Sequence, residues 1–502
     1  MGGPVTSNLN DRFQRWLEQM GFRDNPFALY EADRERPLLP YFFVDRPYVA
    51  QVVGHPSRPQ TTFLFAKRGA GKTATREIVA YECASAELQY EALPVYLTDF
   101  GHLLEIAGGN VANITLRHYV RAILRAALNA LPTYMPALHF SHLDDFNRRI
   151  LLGYADEFAD PLTRLKLHEW IDRKSCIEPL TLSWEQLSPL ELLTYFVQAV
   201  QKVGPSPSQT LKALYVLIDR VDETSGGREA VVPLLTPLIQ NLAVLEAPGV
   251  AFKFFLDAQI GEEAVRAAAA RPDRLRMLWV EWNQDSLSAL INNRIAYYSA
   301  RTYQHFGQLC NSSCRPLALN RLIHATDGSP RELIRICDTL LQIHVERTLD
   351  RKDEFEIDQA DVNRTIEEFQ RIRAQESRLE MPLSDVVSDS ATETVPDSGL
   401  HIDGGGHVYV DGELLDQALS DLEFRLLDTL YRASPQIVSN KELIRATWKL
   451  DEKDWNHEAS LLDEDEQNLR KLITRLRRRL PHGDEDRFIR NARGRGYWLQ
   501  VQ

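Results

Sequence analysis

The rhythm of hydrophobic and polar positions changes several times along this chain, and each change marks an element. Short, nearly unbroken apolar runs at 61–65, 214–218, 252–256 and 277–282 predict buried strands. Between them apolar residues recur every three to four positions, the spacing of a helix with one buried face. Leu116, Val120, Ile123, Leu124, Ala127, Leu128 and Leu131 trace such a face. Ser188-Pro-Leu-Glu191 has the form of a capping box with proline at the first helical position, so it opens a further helix. Strands alternating with helices predict a parallel sheet covered on both faces. The helices between about 105 and 205 interrupt that alternation as an insertion.

Periodicity stops between 376 and 399, where Ser, Asp, Thr and Val replace large apolar residues, the composition of a solvated acidic linker. A different pattern follows. Short strands at 401–403 and 407–410 are separated by glycines at 404–406 and followed by an Asp411-Gly412 turn. Ser420-Asp-Leu-Glu423 and Ser439-Asn-Lys-Glu442 each cap a helix. A third helix buries Leu469, Leu472, Ile473, Leu476 and Leu480 and turns Arg470, Lys471, Thr474, Arg475 and Arg478 the other way, with Arg477 and Arg479 beside them. Phe488-Ile489, Arg493-Gly-Arg495-Gly and Tyr497-Trp498 close the chain as a hairpin with a basic tip. The expected organisation is an N-terminal segment 1–55, a sheet core 56–282, a helical lid 283–375, the linker 376–399 and a compact domain 400–502. No internal repeat is visible.

Composition narrows the classes. A chain of 502 residues is expected to hold two to four domains, and 44% apolar with 26% charged residues is an ordinary globular balance. Apolar runs end at about seven residues, far short of the ~18–20 that cross a bilayer, so no membrane partner is expected. Five cysteines are too few for a disulfide framework and suit a reducing cytoplasm. Cys310 and Cys314 lack a second pair at ligand spacing and read as two small side chains. A net charge of −13 excludes nonspecific coating of nucleic acid by the whole surface. From Glu466 onward, however, ten basic residues face four acidic ones.

Ala66-Lys-Arg-Gly69-Ala-Gly71-Lys72-Thr73 follows a predicted strand and precedes a helix. In that context glycine-permitted turns aim backbone amides at phosphates, Lys72 neutralises the β- and γ-phosphates, and the Thr73 hydroxyl ligates magnesium. Ala66 stands where a first glycine is usual, which requires its φ to stay negative. Tyr215-Val-Leu-Ile-Asp219-Arg-Val-Asp222-Glu223 puts carboxylates at the end of a buried strand, where open α/β sheets place their chemistry. Asp219 would hold magnesium, and Asp222 or Glu223 would orient and deprotonate the attacking water.

These two elements resemble the STAND/AAA+ group of P-loop ATPases, over residues 20–372 and most specifically at the two motifs themselves. The resemblance implies an α/β P-loop NTPase that binds ATP and ADP with Mg2+ and forms a nucleotide-dependent homo-oligomer. It also implies that Phe43-Val-Asp-Arg46 touches the base, although Asp45 stands where glycine is common. Gly328-Ser-Pro330-Arg331 is similar to the lid motif, with Pro330 against adenine and Arg331 in the sensor-2 position. Asp257 and Gln259 offer no cation where the group has its sensor, and Arg271, Arg274 and Arg276 lie where it carries an arginine finger. Members of the STAND branch append a repeat array as sensor. This chain has none, so a separate sensor or effector protein is a possible partner.

The order of elements after residue 400 resembles the OmpR/PhoB-type α+β winged helix along its whole length. That resemblance implies binding of double-stranded DNA through Arg470, Lys471, Thr474, Arg475 and Arg478 on the third helix and Arg493 and Arg495 on the wing. The connection 451–465 is longer and more acidic than is usual there. The combined expectation is a cytoplasmic ATPase switch whose nucleotide state controls DNA binding, in transcription or defence. Two other readings stay open: a DNA-associated ATPase in defence, transposition or DNA loading, and a protein-recruiting switch that never touches DNA.

Overall fold

The computed structural model describes residues 5–85, 91–172, 178–180, 183–224, 227–268, 274–348, 355–380, 399–402, 408–411, 413–415, 419, 421–448, 460–480, 488–492 and 496–500. The chain divides into two compact units, Met1–Gln375 and Glu376–Gln502.

Five strands build the first unit: β1 (Thr62–Ala66), β2 (Ala92–Leu97), β3 (Ala213–Ile218), β4 (Val250–Asp257) and β5 (Arg276–Trp279). They run parallel in the order β2-β3-β4-β1-β5. Because successive side chains point to opposite faces, each apolar run serves two cores. Phe63, Phe65, Val216, Phe252 and Phe254 enter one core with the insertion helices Leu116–Tyr134, Asp145–Phe158 and Pro189–Val200. Leu64, Tyr215, Leu217 and Phe255 enter the other. There they meet the helices Lys72–Cys83, Gln284–Tyr298 and Pro330–Arg347 and apolar residues from 16–53. Burial on both faces is why the strands read as unbroken apolar runs. It also makes the N-terminal segment a wall of the core.

Some elements differ from expectation, each for a local reason. β2 escaped the apolar pattern because Pro94 interrupts it, yet proline is tolerated there since β2 is an edge strand. β5 stops at Trp279. After Val280 donates to the Phe65 carbonyl at 2.9 Å, the chain turns toward the loop that follows β1. The Ser188 box forms as expected: Glu191 N donates to Ser188 Oγ at 3.3 Å and Ser188 N to Glu191 Oε2 at 2.8 Å.

The second unit carries a small antiparallel sheet of β6 (Leu400–Ile402), β7 (Val408–Val410) and β8 (Glu413–Leu414). Helices Asp421–Ala433, Asn440–Trp448 and Ser460–Arg479 follow, then a hairpin of β9 (Ile489–Ala492) and β10 (Gly496–Leu499). Leu426, Leu430, Leu443, Leu469, Leu472 and Leu476 meet in a core of its own. The third helix begins at Ser460, so 460–465, read from the sequence as connection, are its first turns. Residues 451–459 lie outside the described residues, as does most of the acidic linker. The helix Gln359–Glu380 runs into the start of that linker. Gly496 has φ +135°, and a Cβ there would stand 1.9 Å from the Val438 carbonyl oxygen. Only glycine lets β10 approach this closely and exchange hydrogen bonds between Tyr497 and Val438, at 2.8 and 2.9 Å. Among the described residues no helix is long and apolar enough to cross a membrane.

Candidate nucleotide site and nucleic-acid face

β1 ends at Ala66, and the helix that follows starts at Lys72. The turn between them uses Gly69 at φ +78° and Gly71 at φ +94°, conformations that L side chains resist. Ala66 is not among the residues with positive φ, so its methyl group is carried without strain. Lys72 Nζ donates to the carbonyls of Ala66 at 3.0 Å and Lys67 at 3.3 Å, which holds the ammonium over the loop. The lid closes in from the other side. A Cβ on Gly69 would lie 3.2 Å from Arg331 Cβ and 3.3 Å from Ser329 Oγ.

β4 separates β1 from β3, yet the segments leaving the carboxyl ends of these strands meet at one edge of the sheet. There Thr73 Oγ1 donates to Asp219 Oδ2 at 2.9 Å, and Arg76 Nη1 donates to the same oxygen at 3.0 Å. Burial pushes the Asp219 carboxyl above its ordinary range, while Arg76, the Thr73 hydroxyl and Lys72 pull it back. Burial likewise lowers Lys72, opposed by Asp257, Asp222 and Asp219 and reinforced by Arg331. Asp222 and Glu223 stand exposed in the short turn Val221–Glu223.

Gly69, Gly71, Lys72, Thr73, Asp219, Asp222, Glu223 and Arg331 line a cavity of about 400 Å³. Its lining combines charged and polar groups, Lys72, Thr73, Asp219, Asp222 and Arg331, with apolar ones, Tyr30, Phe42, Phe43, Leu290, Pro330 and Ile334. Such a lining suits a ligand that is part apolar and part anionic. Glu35 and Arg294 also line it, as a buried two-hydrogen-bond ion pair at 2.7 and 2.5 Å. Burial raises the Glu35 carboxyl, and Arg294 opposes it.

Arg46, expected at the base, does not line the cavity. Its guanidinium lies 5.0 Å over the Trp282 ring and donates to the Glu281 carbonyl. Trp282, which no sequence pattern singled out as a site residue, does line the cavity and donates from Nε1 to the Ala70 carbonyl at 2.9 Å. Arg46 thus braces a wall of the site. Asp257 caps the helix after β4 by accepting from Gln259 N at 3.2 Å. Of the arginine-finger candidates, Arg274 pairs with Glu246 at 3.0 Å, Arg276 opens β5, and Arg271 lies outside the described residues.

Among the described residues no group of three or more His, Cys, Asp or Glu could hold a metal ion. Cys310 and Cys314 are fully buried, and Cys314 Sγ donates to the Ile357 carbonyl. The hydroxyl of Thr73 against the carboxylate of Asp219 is a pair of hard oxygen donors beside the loop. That set fits magnesium, which keeps several waters and takes its remaining ligands from phosphates.

In the second unit, Arg470, Lys471, Thr474, Arg475 and Arg478 are all exposed on the third helix, opposite its buried leucines. Arg477 and Arg479 are tied inward, to the Ile489 carbonyl at 2.7 Å and to the buried Glu423 at 3.4 Å. Arg470 pairs with Glu466 at 3.3 Å, and Thr474 Oγ1 donates to the Arg470 carbonyl at 2.8 Å. Arg493 and Arg495 lie outside the described residues.

Residues 416–499 match the family model Trans_reg_C, described as "Transcriptional regulatory protein, C terminal". No curated protein matches the chain. It is similar to the Aeropyrum pernix ORC1 protein solved in complex with DNA, at 13% identity over 95% of this chain and 90% of that one, with a TM-score of 0.29. A second similar structure is the Aeropyrum pernix ORC2 protein with ADPNP and ADP, at 10% identity, 90% and 91% coverage and a TM-score of 0.36. A third, from the streptococci, is described as a family of redox sensors that evolved from two-component response regulators. It shares 18% identity over 46% of this chain and 90% of its own, with a TM-score of 0.17. Likenesses this distant add nothing to the strand order and loop geometry, which define the first unit as an α/β P-loop fold. The second unit is an OmpR/PhoB-type winged helix.

Proposed function

We propose that the chain is an ATP-dependent switch of the STAND/AAA+ type whose nucleotide state controls DNA binding by its winged helix, as a regulator of transcription or defence. The observation that carries this reading is the meeting of Lys72, Thr73 and Asp219 in one cavity with Asp222, Glu223 and Arg331. Gly69 and Gly71 shape the phosphate loop, Lys72 takes the β- and γ-phosphates, and Thr73 and Asp219 hold magnesium. The ion supplies neutralisation of phosphate charge. Asp222 or Glu223 orients the attacking water, Arg331 approaches the phosphates from the lid, and Pro330 packs beside the base. The exposed cations of the third helix supply contacts to double-stranded DNA. Lys72→Ala removes the cation held over the loop and is expected to abolish ATP binding measured by calorimetry in Mg2+. Wild-type affinity and turnover in that variant would remove the site assignment.

A further inference from the structure

The position proposed for magnesium lies among cations. Arg76, in the helix that begins at Lys72, has a side chain 3% exposed and shares Asp219 Oδ2 with Thr73. Arg220 follows Asp219 directly and holds a left-handed backbone, φ +62°, uncommon outside glycine. Arg220 lines the cavity, which Arg76 does not. Arg76 bonds the Asp219 carboxylate itself, and Arg220 is joined to Arg76 through a shared carboxylate, so this cluster of cations opposes a dication there.

The counter-charges are unequal. Glu77 accepts from Arg76 Nε at 3.1 Å and Nη2 at 2.6 Å, but it is shared with Arg36, whose Nε lies 2.7 Å from its other oxygen. Glu223 lies 3.8 Å from Arg220 Nε and is 67% exposed, so solvent screens it. Asp33 takes both arginines, one on each oxygen: Oδ1 accepts from Arg76 Nη2 and Oδ2 from Arg220 Nη2. It comes from the short helix Ala32–Glu35, distant in sequence from both partners.

We infer that Asp33 is a positioning residue of the metal site: the shared counter-ion of Arg76 and Arg220, which keeps their charge from opposing a divalent cation at Thr73 and Asp219. The inference rests on the nucleotide reading above. It carries a signature in sign. Removing the Asp33 charge makes this side of the cavity more positive, which weakens a cation but does not weaken a nucleotide polyanion bound without metal. Damage to the fold weakens both.

The test uses the full chain, Mn2+ as probe followed by electron paramagnetic resonance in the presence of a nonhydrolysable ATP analogue, and analogue binding in EDTA. In Asp33→Asn the Mn2+ affinity is expected to fall about ten-fold, the effect of one unit charge on a dication across two hydrogen bonds at water-like screening. Analogue affinity in EDTA stays level or tightens, and Asp33→Glu recovers Mn2+ binding. Arg220→Gln removes a cation and shifts Mn2+ affinity the opposite way, so it carries the test if Asp33→Asn does not fold. Parallel loss of Mn2+ and analogue, or unchanged Mn2+ affinity in both variants, overturns the inference. A wild-type chain that binds no analogue at all overturns the nucleotide reading instead.

Discussion

Asp222 and Glu223 are neighbours in one exposed turn, yet their surroundings differ. The charge of Asp222 acts on Lys72, whereas Glu223 lies toward Arg220, 3.8 Å from its Nε. Of the two, Asp222 is the carboxylate whose charge is felt at Lys72. Asp222→Asn is expected to leave ATP binding intact and slow phosphate release ~10²-fold or more at saturating ATP and Mg2+, the range for losing a positioned base. Glu223→Gln should cost less. A larger loss in Glu223→Gln reverses the two roles, and wild-type rates in both move the catalytic water elsewhere. At this scale the legible residues were those whose chemistry is written in adjacency: Gly69, Gly71, Lys72 and Thr73 in one loop, Asp219 at the end of one strand. Asp33, Glu35, Arg294 and Trp282 are not legible, because an ion pair or a ring against a loop joins positions from 43 to 259 residues apart. Arg46 stacks on Trp282, which lines the cavity, and does not line it itself.

Elements were legible where burial is one-sided or complete and obscure where a local breaker intervenes. β1, β3 and β4 are buried along nearly their whole length and stand out as apolar runs. β2 is equally buried, but Pro94 hid it. The third helix of the second unit is legible from 469 onward, because its leucines point into a core while Arg470, Lys471, Arg475 and Arg478 stay exposed; its start at Ser460 is not. That unit is compact and has its own core, so it is expected to fold when expressed as residues 399–502. Alone it should bind duplex DNA with a log-affinity against log-salt slope near −4, from roughly four or five phosphates at about −0.9 each. Arg470 and Thr474 share the exposed face, one helical turn apart, and changing either should alter sequence preference. Changing Arg493 or Arg495 should weaken all sequences alike. Titration against a random-sequence pool at low ionic strength measures both effects. Absence of salt-sensitive binding there would leave the basic face as a protein-contact surface.

For the whole molecule the proposed function raises the question of how a phosphate bound in this cavity would be felt beyond it. The cavity wall is drawn from three distant stretches of chain: Tyr30, Phe42 and Phe43 from the N-terminal segment, Gly69 to Thr73 from the loop, and Leu290, Pro330 and Arg331 from the lid. A ligand filling it therefore contacts all three at once. ATP differs from ADP by a γ-phosphate, whose charge falls at the end where Lys72 and Arg331 already repel one another. Relief of that repulsion favours the lid held against the loop, and only such a differential interaction can shift a population between two arrangements. The proposed readout is self-association. Light scattering of the full chain should give a heavier species with Mg2+ and a nonhydrolysable ATP analogue than with ADP, and Arg331→Gln should lose the difference while still binding nucleotide. Equal mass in both nucleotides, with binding verified in each, would mean that the switch acts within one chain. The γ-phosphate would then reach the DNA-binding unit through the chain itself and not through assembly.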